Sequence, residues 1–432
     1  MVIPVRFGLP RADGSAEIPL PAAPGASQEE IRRQNLGAVL RYVHVHGPTS
    51  RAELTSQLGL NRSTIGALAA DLAAGGLVTE ETSTTGTSTA RRAGRPSLVV
   101  SPRSGRVYAH ALSIEVDRIR AARVGLGGRI LDLRETRRPR GMPALEAVGP
   151  LAGFVRDMEE RADADDAICA GGGVAVSDTT RGGDGTIRLG GADEGVSSAL
   201  GAELGDAPGF VIGDMADIAG LAEHIRGVAA GINDLVYLHG DLGVSAGIIT
   251  GGRLVIGHRG RSGKVGHMVV NPDGLRCGCG SRGCWETEIG DAALLRHAGR
   301  SHPDTGHADA GHAGREPGER ATVLEVLRAA ARGDSTAAAA VHRVGDWLGF
   351  GVANLVNVIN PDLVVFGGSL REVYAASAGV VRRRLDGMAL PASREHVQLR
   401  VAALGRNAAL VGAAELAFEQ LLADPLNVGV AG

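Results

Sequence analysis

The sequence predicts an α/β protein: an N-terminal winged helix-turn-helix followed by a two-lobed α/β module. Three observations carry this. Two short helical patterns meet at Gly59-Leu60, between an amphipathic helix and a strand pair whose connection is rich in arginine. From Val107 onward strand and helix patterns alternate, as they do where helices cover sheets. A loop from Gly266 to Glu286 gathers three of the four cysteines into the eight residues from Cys277 to Cys284, with His267 ten positions before the first.

Composition sets the bounds. At 432 residues the chain exceeds one ordinary domain, and about 150 residues per domain gives a number near three. Aromatic residues are only 3% against 44% apolar, so the core must be built mostly from Ala, Val, Leu and Ile. A net charge of −3 advertises no nucleic acid; such a partner would have to meet a local basic patch. No run of eighteen apolar residues appears, so no membrane contact is expected. Metal-spaced cysteines, and an N-terminus without a charged segment leading into an apolar one, argue for a reducing compartment, the cytoplasm.

In chain order, residues 1–28 are rich in Pro, Ala and Gly and read as a disordered tail. A winged helix-turn-helix is expected over 29–105, a first lobe over 106–230, and a second lobe over 231–432 carrying the cysteine loop and a closing helix. Ile31, Leu36, Val39, Leu40 and Val43 fit one helical face, ended by Gly47-Pro48. Ser50 and Glu53 form a capping box for a second helix that stops at Gly59. Asn61 caps a third, with Arg62, Ser63 and Thr64 in its first turn and Ile65, Leu68 and Leu72 facing inward. In a helix-turn-helix the second helix enters the major groove with its N-terminal residues at the base edges. Arg62, Ser63 and Thr64 are therefore the expected base-facing residues. Gly75-Gly76 ends this helix, and strands at 77–80 and 98–100 flank a run carrying Arg91, Arg92 and Arg95. Such a wing suits a narrow minor groove and its phosphates. The plainer alternative is a three-helix packing module with a solvated basic loop.

Beyond it, strands are expected at 107–113, 119–124 and 130–133, a helix over 144–161, a strand over 168–176 and a strand-to-helix passage over 210–223. The second lobe should hold strands at 235–239, 247–249 and 363–366, a helical block over 321–359 and a helix from Val411. The stretch containing His302, His307 and His312 reads as a surface insertion, with a second metal site as the lesser alternative.

Cys277, Cys279, Cys284 and His267 make a closed tetrahedral ligand set, the complement of a structural zinc site, and soft sulfur favours zinc over magnesium or calcium. With no open position, the metal fixes a loop and activates no water. Buried or redox-active thiols are the alternative.

Taken together, residues 29–414 resemble the ROK family of repressors, open reading frames and kinases. The most specific likeness is Cys277-x-Cys279-Gly280-x-x-Gly283-Cys284-x-Glu286 with Gly266-His267 upstream, backed by the run from Asn354 to Gly368. The resemblance implies an actin-like fold with two lobes around a cleft. It also implies a division between sugar kinases and regulators that carry the N-terminal module. Kinases of the family cradle ATP with an Asp-x-Gly-Gly-Thr turn, because glycine lets backbone N–H groups approach the anion. Here Ser113, Ile114, Glu115, Val116 and Asp117 stand at those positions, and the second phosphate loop is eroded to Asp241-Leu242-Gly243-Val244-Ser245-Ala246-Gly247. Asp214 matches the family's catalytic base, but Gly213 and Ala216 replace the asparagines near it. Of the sugar-facing residues, Asp214, His267 and Glu286 match, and Lys264 replaces a glutamate. That change favours an anionic effector such as a phosphosugar or sugar acid, unless Lys264 pairs with Asp214 or Glu286 and closes the pocket.

The resemblance thus implies a transcriptional repressor without kinase activity, bound as a homodimer or dimer of dimers to palindromic double-stranded DNA and responsive to a sugar-like effector. Two alternatives remain: a sugar kinase with an appended DNA-binding domain, and a protein-interaction scaffold.

Overall fold

The computed structural model describes residues 27–82, 98–139, 142–161, 167–177, 179–181, 187–189, 193–205, 209–241, 243–300 and 322–427. Arg91, Arg92 and Arg95, the histidines at 302, 307 and 312, Leu242 and nearly all of the expected tail lie outside the described residues.

The N-terminal module comprises α1 (Gln28–His46), β1 (Thr49–Ser50), α2 (Arg51–Leu58), α3 (Arg62–Ala74), β2 (Val78–Thr82) and β3 (Leu98–Pro102). Its sheet runs in the order β1-β3-β2, all antiparallel. Ser50 Oγ accepts the Glu53 N–H at 3.1 Å, the first half of the expected box. Gly59 ends α2 in the left-handed region at φ 66°, and Asn61 Oδ1 accepts from Thr64 N–H at 2.8 Å to start α3. Two helices joined by a tight glycine turn thus stand beside a three-stranded antiparallel sheet. Leu36, Val39, Leu40 and Val43 are buried as expected, but Ile31 is 41% exposed. The first two turns of α1 stand clear of the core, so an apolar residue there finds nothing to pack against.

The first lobe contains β4 (Val107–Ile114), β5 (Arg118–Gly125), β6 (Arg129–Arg137), α4 (Val148–Glu160), β7 (Ile168–Val176), β8 (Thr179–Arg181), β9 (Ile187–Leu189), α5 (Asp193–Leu204), β10 (Phe210–Asp214) and α6 (Met215–Arg226). A 3-10 turn, Ala144–Ala147, leads into α4. The sheet order is β10-β7-β4-β5-β6, with β4 to β6 an antiparallel meander and β7 and β10 parallel to β4.

The second lobe contains β11 (Leu235–Gly240), β12 (Val244–Thr250), β13 (Arg253–Leu254), α7 (Glu286–Ile289), α8 (Asp291–His297), α9 (Val323–Ala331), α10 (Ser335–Ile359), β14 (Leu363–Gly368), α11 (Leu370–Met388), α12 (Pro391–Arg394), β15 (Gln398–Val401) and α13 (Ala408–Ala423). Its sheet order, β13-β12-β11-β14-β15, repeats the first lobe's plan of a three-strand meander extended by two parallel strands. The lobes are copies of one topology. The single helical block expected over 321–359 is two helices, parted at Gly333, whose φ is 92°, and restarted by an Asp334 cap.

One placement differs from the expected division of the chain. Helix α13 follows the second lobe in sequence but packs against β4, β7 and α6 of the first, and against α1. Small residues permit it. A Cβ on Gly173 of β7 would strike the Ala413 carbonyl, one on Gly412 the Ile218 carbonyl, and one on Gly37 of α1 the Leu422 carbonyl. Leu36, Val39, Leu40 and Val43 thereby join Leu410, Phe418, Leu421 and Leu422 in one continuous core. The N-terminal module is therefore fastened to the two-lobed body through α13.

Candidate functional site: ligand cleft and metal centre

Between the lobes lies a cleft lined by Ser177, Asp214, Met215, His239, Asp241, Gly243, Val244, Ser245, Lys264, His267 and Glu286. It gathers all four expected effector residues, Asp214, Lys264, His267 and Glu286. The fold explains why. Asp214 closes β10 and caps α6, its Oδ1 accepting from the Ala216 N–H at 2.9 Å. Lys264 Nζ donates to the other oxygen, Oδ2, at 2.7 Å. Of the two readings of Lys264, the geometry matches the ion pair with Asp214. Both Asp214 oxygens are thereby engaged.

Sequence reasoning missed two ionisable neighbours. Asp217 on the first turn of α6 is pushed up to about 8 by burial and by the charge of Asp214, partly offset by Lys264. Its Oδ1 has no hydrogen-bond partner among the described residues. His239 at the end of β11 is pulled down to about 4 by burial, against the opposing pull of Asp214. At neutral pH the first is a carboxylic acid and the second an uncharged imidazole. An aspartate three residues past a helix cap, and a histidine ending a strand of Leu, Val and Tyr, were the available signals.

The first phosphate-loop position is a tight β4–β5 turn. Glu115 N–H bonds the Arg118 carbonyl at 3.0 Å, and Ser113 Oγ donates to the Glu115 carboxylate at 2.9 Å. Arg118 lies 2.9 Å from Asp117, and Arg120 lies 3.7 Å from Glu115. Arginines of β5 thus neutralise both carboxylates. The Glu115 amide is thereby already used within the turn.

Below the cleft, one ligand atom from each of His267, Cys277, Cys279 and Cys284 falls within 4.8 Å of all the others. Cys279 Sγ and Cys284 Sγ are 3.6 Å apart, and Cys277 Sγ is 3.7 Å from His267 Nδ1. Four ligands about 2.3 Å from one centre stand about 3.8 Å apart in a tetrahedron. The set therefore fits a metal ion. Gly283, at φ 69°, sits against the Asn271 carbonyl where no side chain would fit, so the hairpin turns tightly enough to bring its ends together. The loop is anchored by Trp285, fully buried, whose Nε1–H donates to the Trp347 carbonyl of α10 at 2.8 Å. Glu286 joins metal loop and cleft: its Oε1 accepts from Cys277 Sγ at 2.9 Å and lies 3.6 Å from His267 Nδ1.

On α3, Arg62 and Ser63 are exposed and Thr64 half-buried. Ser63 Oγ donates to Asn61 Oδ1 at 2.7 Å, so it supports the cap as well as facing outward. Arg51 NεH donates to Glu80 at 2.6 Å, tying α2 to the base of the strand pair. None of the described helices is long and apolar enough to cross a membrane.

A family model described as the ROK family matches residues 110–420. A glucokinase of Halalkalibacterium halodurans is 29% identical over 211 residues, covering 49% of this chain and 64% of that protein, short of two thirds of its length. A xylose repressor of Bacillus spizizenii is 24% identical over 401 residues, covering 92% of this chain and 98% of the repressor. Among solved structures, a ROK family transcriptional regulator described as a homologue of the E. coli MLC protein superposes with a TM-score of 0.70. Its sequence is 22% identical, over 92% of this chain and 98% of the other.

Proposed function

Since the chain belongs to the ROK family, we propose that it is a DNA-binding transcriptional regulator, a repressor, whose cleft receives a sugar or sugar-derived ligand and transfers no phosphate. The observation that carries this reading is the continuous core joining α1 of the N-terminal module to α13 and the ligand-bearing lobes. A catalyst has no need of such a joint, whereas a regulator requires one. The alignment with a xylose repressor along nearly the whole chain supports the same reading, as do the closed β4–β5 turn and the occupied Asp214 carboxylate.

The N-terminal module, about residues 29–105, would present Arg62, Ser63 and Thr64 to the major groove, with Arg91, Arg92 and Arg95 supplying contacts to the minor groove and phosphates. Two copies in a symmetric dimer would match a palindrome. Zinc is the metal that three thiolates and an imidazole select, and it would lock the Cys277–Cys284 hairpin beneath the cleft. Sugar hydroxyls would meet His267 and Glu286, and an acidic or phosphorylated ligand would compete for Lys264.

Helix α6 supplies the route from ligand to DNA. Its first residue follows Asp214 in the cleft. Its last, Arg226, donates NεH to Glu415 Oε1 of α13 at 2.6 Å and lies 2.7 Å from His44 Nε2 of α1. Residues Met215 to Ile225 are all buried, so a displacement at one end has no soft segment in which to dissipate.

The test is retention of fragmented genomic DNA on the purified chain at two salt concentrations, with a panel of sugars and sugar phosphates, beside a coupled assay for ATP turnover. The expected result is an enriched palindrome, weakened by salt, released by one ligand class, with no phosphoryl transfer. Sugar-dependent ATP turnover would replace this reading with a kinase bearing an appended module. Uniform or absent DNA retention would point to a protein-interaction scaffold.

A further inference from the structure

Lys264 is the only lysine in the chain; all the others among its 45 Lys and Arg residues are arginines. Charge alone does not call for that exception. Where a cation is paired in the interior this protein uses arginine, as in Arg226 with Glu415 and Arg120 with Glu115. An amine adds chemistry. An ammonium can give up a proton and then attack a carbonyl carbon, whereas a guanidinium stays protonated.

The one lysine stands where a small carbonyl compound would enter, lining the cleft beside Ser177, Asp214, Ser245, His267 and Glu286. Its backbone is held to β12. Ala246 N–H donates to the Gly263 carbonyl at 2.7 Å, and Gly263, at φ 71°, lies so close to the Ala246 carbonyl that a Cβ would strike it. From this support the side chain reaches across to the first lobe, where Nζ donates to Asp214 Oδ2 at 2.7 Å. It keeps 23% exposure, so the pair can be reached from the cleft. Glu286 is 8% exposed at its side chain, and its Oε2 has no hydrogen-bond partner among the described residues. The cleft therefore holds together an amine, a carboxylate to take its proton and a further carboxylate oxygen to accept a hydroxyl.

We propose that Lys264 captures the open-chain aldehyde of an aldose as a reversible imine, so that the cleft holds reducing sugars covalently. This rests on the reading of the cleft as a sugar site. The ammonium passes one proton to Asp214, and the freed amine attacks the aldehyde carbon. The N–C bond forms, the carbonyl π pair moves to oxygen, and a proton shifts from nitrogen to that oxygen to give a carbinolamine. Asp214 returns its proton to the hydroxyl, which leaves as water while the nitrogen pair closes the C=N bond. The iminium carries the charge that the ammonium had, and the Asp214 carboxylate beside it favours that charged form. Nothing is oxidised or reduced overall, and water reverses the step.

The experiment uses the full-length, metal-loaded chain with D-ribose or D-erythrose, each with and without a terminal phosphate, and sodium cyanoborohydride. The reagent delivers hydride to the imine carbon and leaves a secondary amine, located by mass spectrometry. The α-amine of the chain is the internal reference, since its lower pKa makes it the more reactive amine in free solution. The adduct on Lys264 should saturate with sugar concentration and form at least about tenfold faster than that on the α-amine. The corresponding alditols, which have no aldehyde, should leave none. Asp214→Asn keeps a side chain able to cap α6 but no proton acceptor, and should slow capture at least about tenfold. By calorimetry without reductant, wild type should bind ribose several-fold more tightly than methyl riboside, and Lys264→Arg should lose that preference. An unsaturable adduct formed no faster than on the α-amine is random glycation and would overturn the proposal. Sugar binding by calorimetry with no Lys264 adduct would also overturn it, while leaving the sugar-site reading standing. If none of these sugars binds or reacts, both fail.

Discussion

Helix α6 ends in two ionic groups built on different terms. At its N-terminus, Asp214 and Lys264 keep side-chain exposures of 15% and 23%, beside Asp217, whose Oδ1 has no hydrogen-bond partner among the described residues, and His239, pulled down to about 4 by burial. At its C-terminus, Arg226 and Glu415 are 12% and 3% exposed, and His44 is fully buried. His44 Nδ1 accepts from the Gly127 N–H at 2.9 Å, which puts the ring proton on Nε2, the donor to Glu415 Oε2 at 2.8 Å. Burial would raise the Glu415 carboxyl, but His44 and Arg226 hold it down at about 2, while burial lowers His44. One end is a partly exposed pair, which in the proposed function a ligand would displace; the other is a closed joint between three helices. The contrast shows how a fold can separate sensing from attachment: exchangeable charge where something must enter, and fully used charge where nothing should move independently.

Breaking the closed end should have the largest effect. Glu415→Ala leaves the Arg226 cation buried and unpaired, which costs about 3–5 kcal/mol; urea unfolding should show it, together with loss of DNA retention. A change below about 1 kcal/mol would mean that water reaches the joint. The two ends also answer pH oppositely. The folded pKa of Glu415 is depressed, so its contribution is present above the ordinary carboxylate range and lost as pH falls toward about 2. The folded pKa of Asp217 is raised, so its contribution is largest in acid and lost as pH rises through about 8. Asp217→Asn should therefore stabilise the protein by about 4 kcal/mol at pH 9 relative to pH 5, measured by denaturation at both. A variant with the wild-type pH dependence would place the titration elsewhere.

Smaller effects sharpen the comparison. Cys284→Ser should abolish stoichiometric metal binding and alter the fluorescence of the adjacent Trp285, while leaving the joint at His44 intact by hydrogen exchange. Lys264→Ala removes a partly exposed pair and should cost about 1 kcal/mol or less, yet change ligand affinity several-fold. Arg32→Ala, which removes the surface pair with Asp71, exposed at 55% and 31%, should shift stability by no more than about 0.5 kcal/mol.

What was legible in the sequence was what local chemistry determines. The caps at Ser50 and Asn61, the glycine stop at Gly59 and the cysteine spacing each depend on residues close in the chain, and they mark the elements the structure contains. Asp214, Lys264, His267 and Glu286 could be brought to one cleft only through the family resemblance, because the two lobes that hold them are far apart in sequence. The packing of α13 on the first lobe was not legible, since a helix that is apolar on most of its surface does not say which sheet it covers. Its buried carboxylate was a clue. Glu415, 2% exposed, lies among Ala413, Ala414, Ala417 and Phe418, and an acid on the buried side of so apolar a helix calls for a buried cation. Nothing local identified that cation as Arg226 or the third partner as His44. The pairing of Glu115 and Asp117 was not legible for the same reason: the neutralising arginines come from the next strand.

In the proposed function the cleft governs the DNA-binding module through α6. The most direct test compares wild-type protein with Lys264→Ala for retention of genomic fragments across a titration of sugars and sugar phosphates. Both proteins should enrich the same palindrome, and one ligand class should release it, at concentrations differing by about fivefold or more between them. If both release the same DNA at the same ligand concentration, or if no ligand affects retention while the palindrome is still enriched, then the cleft does not control the module and the claim fails.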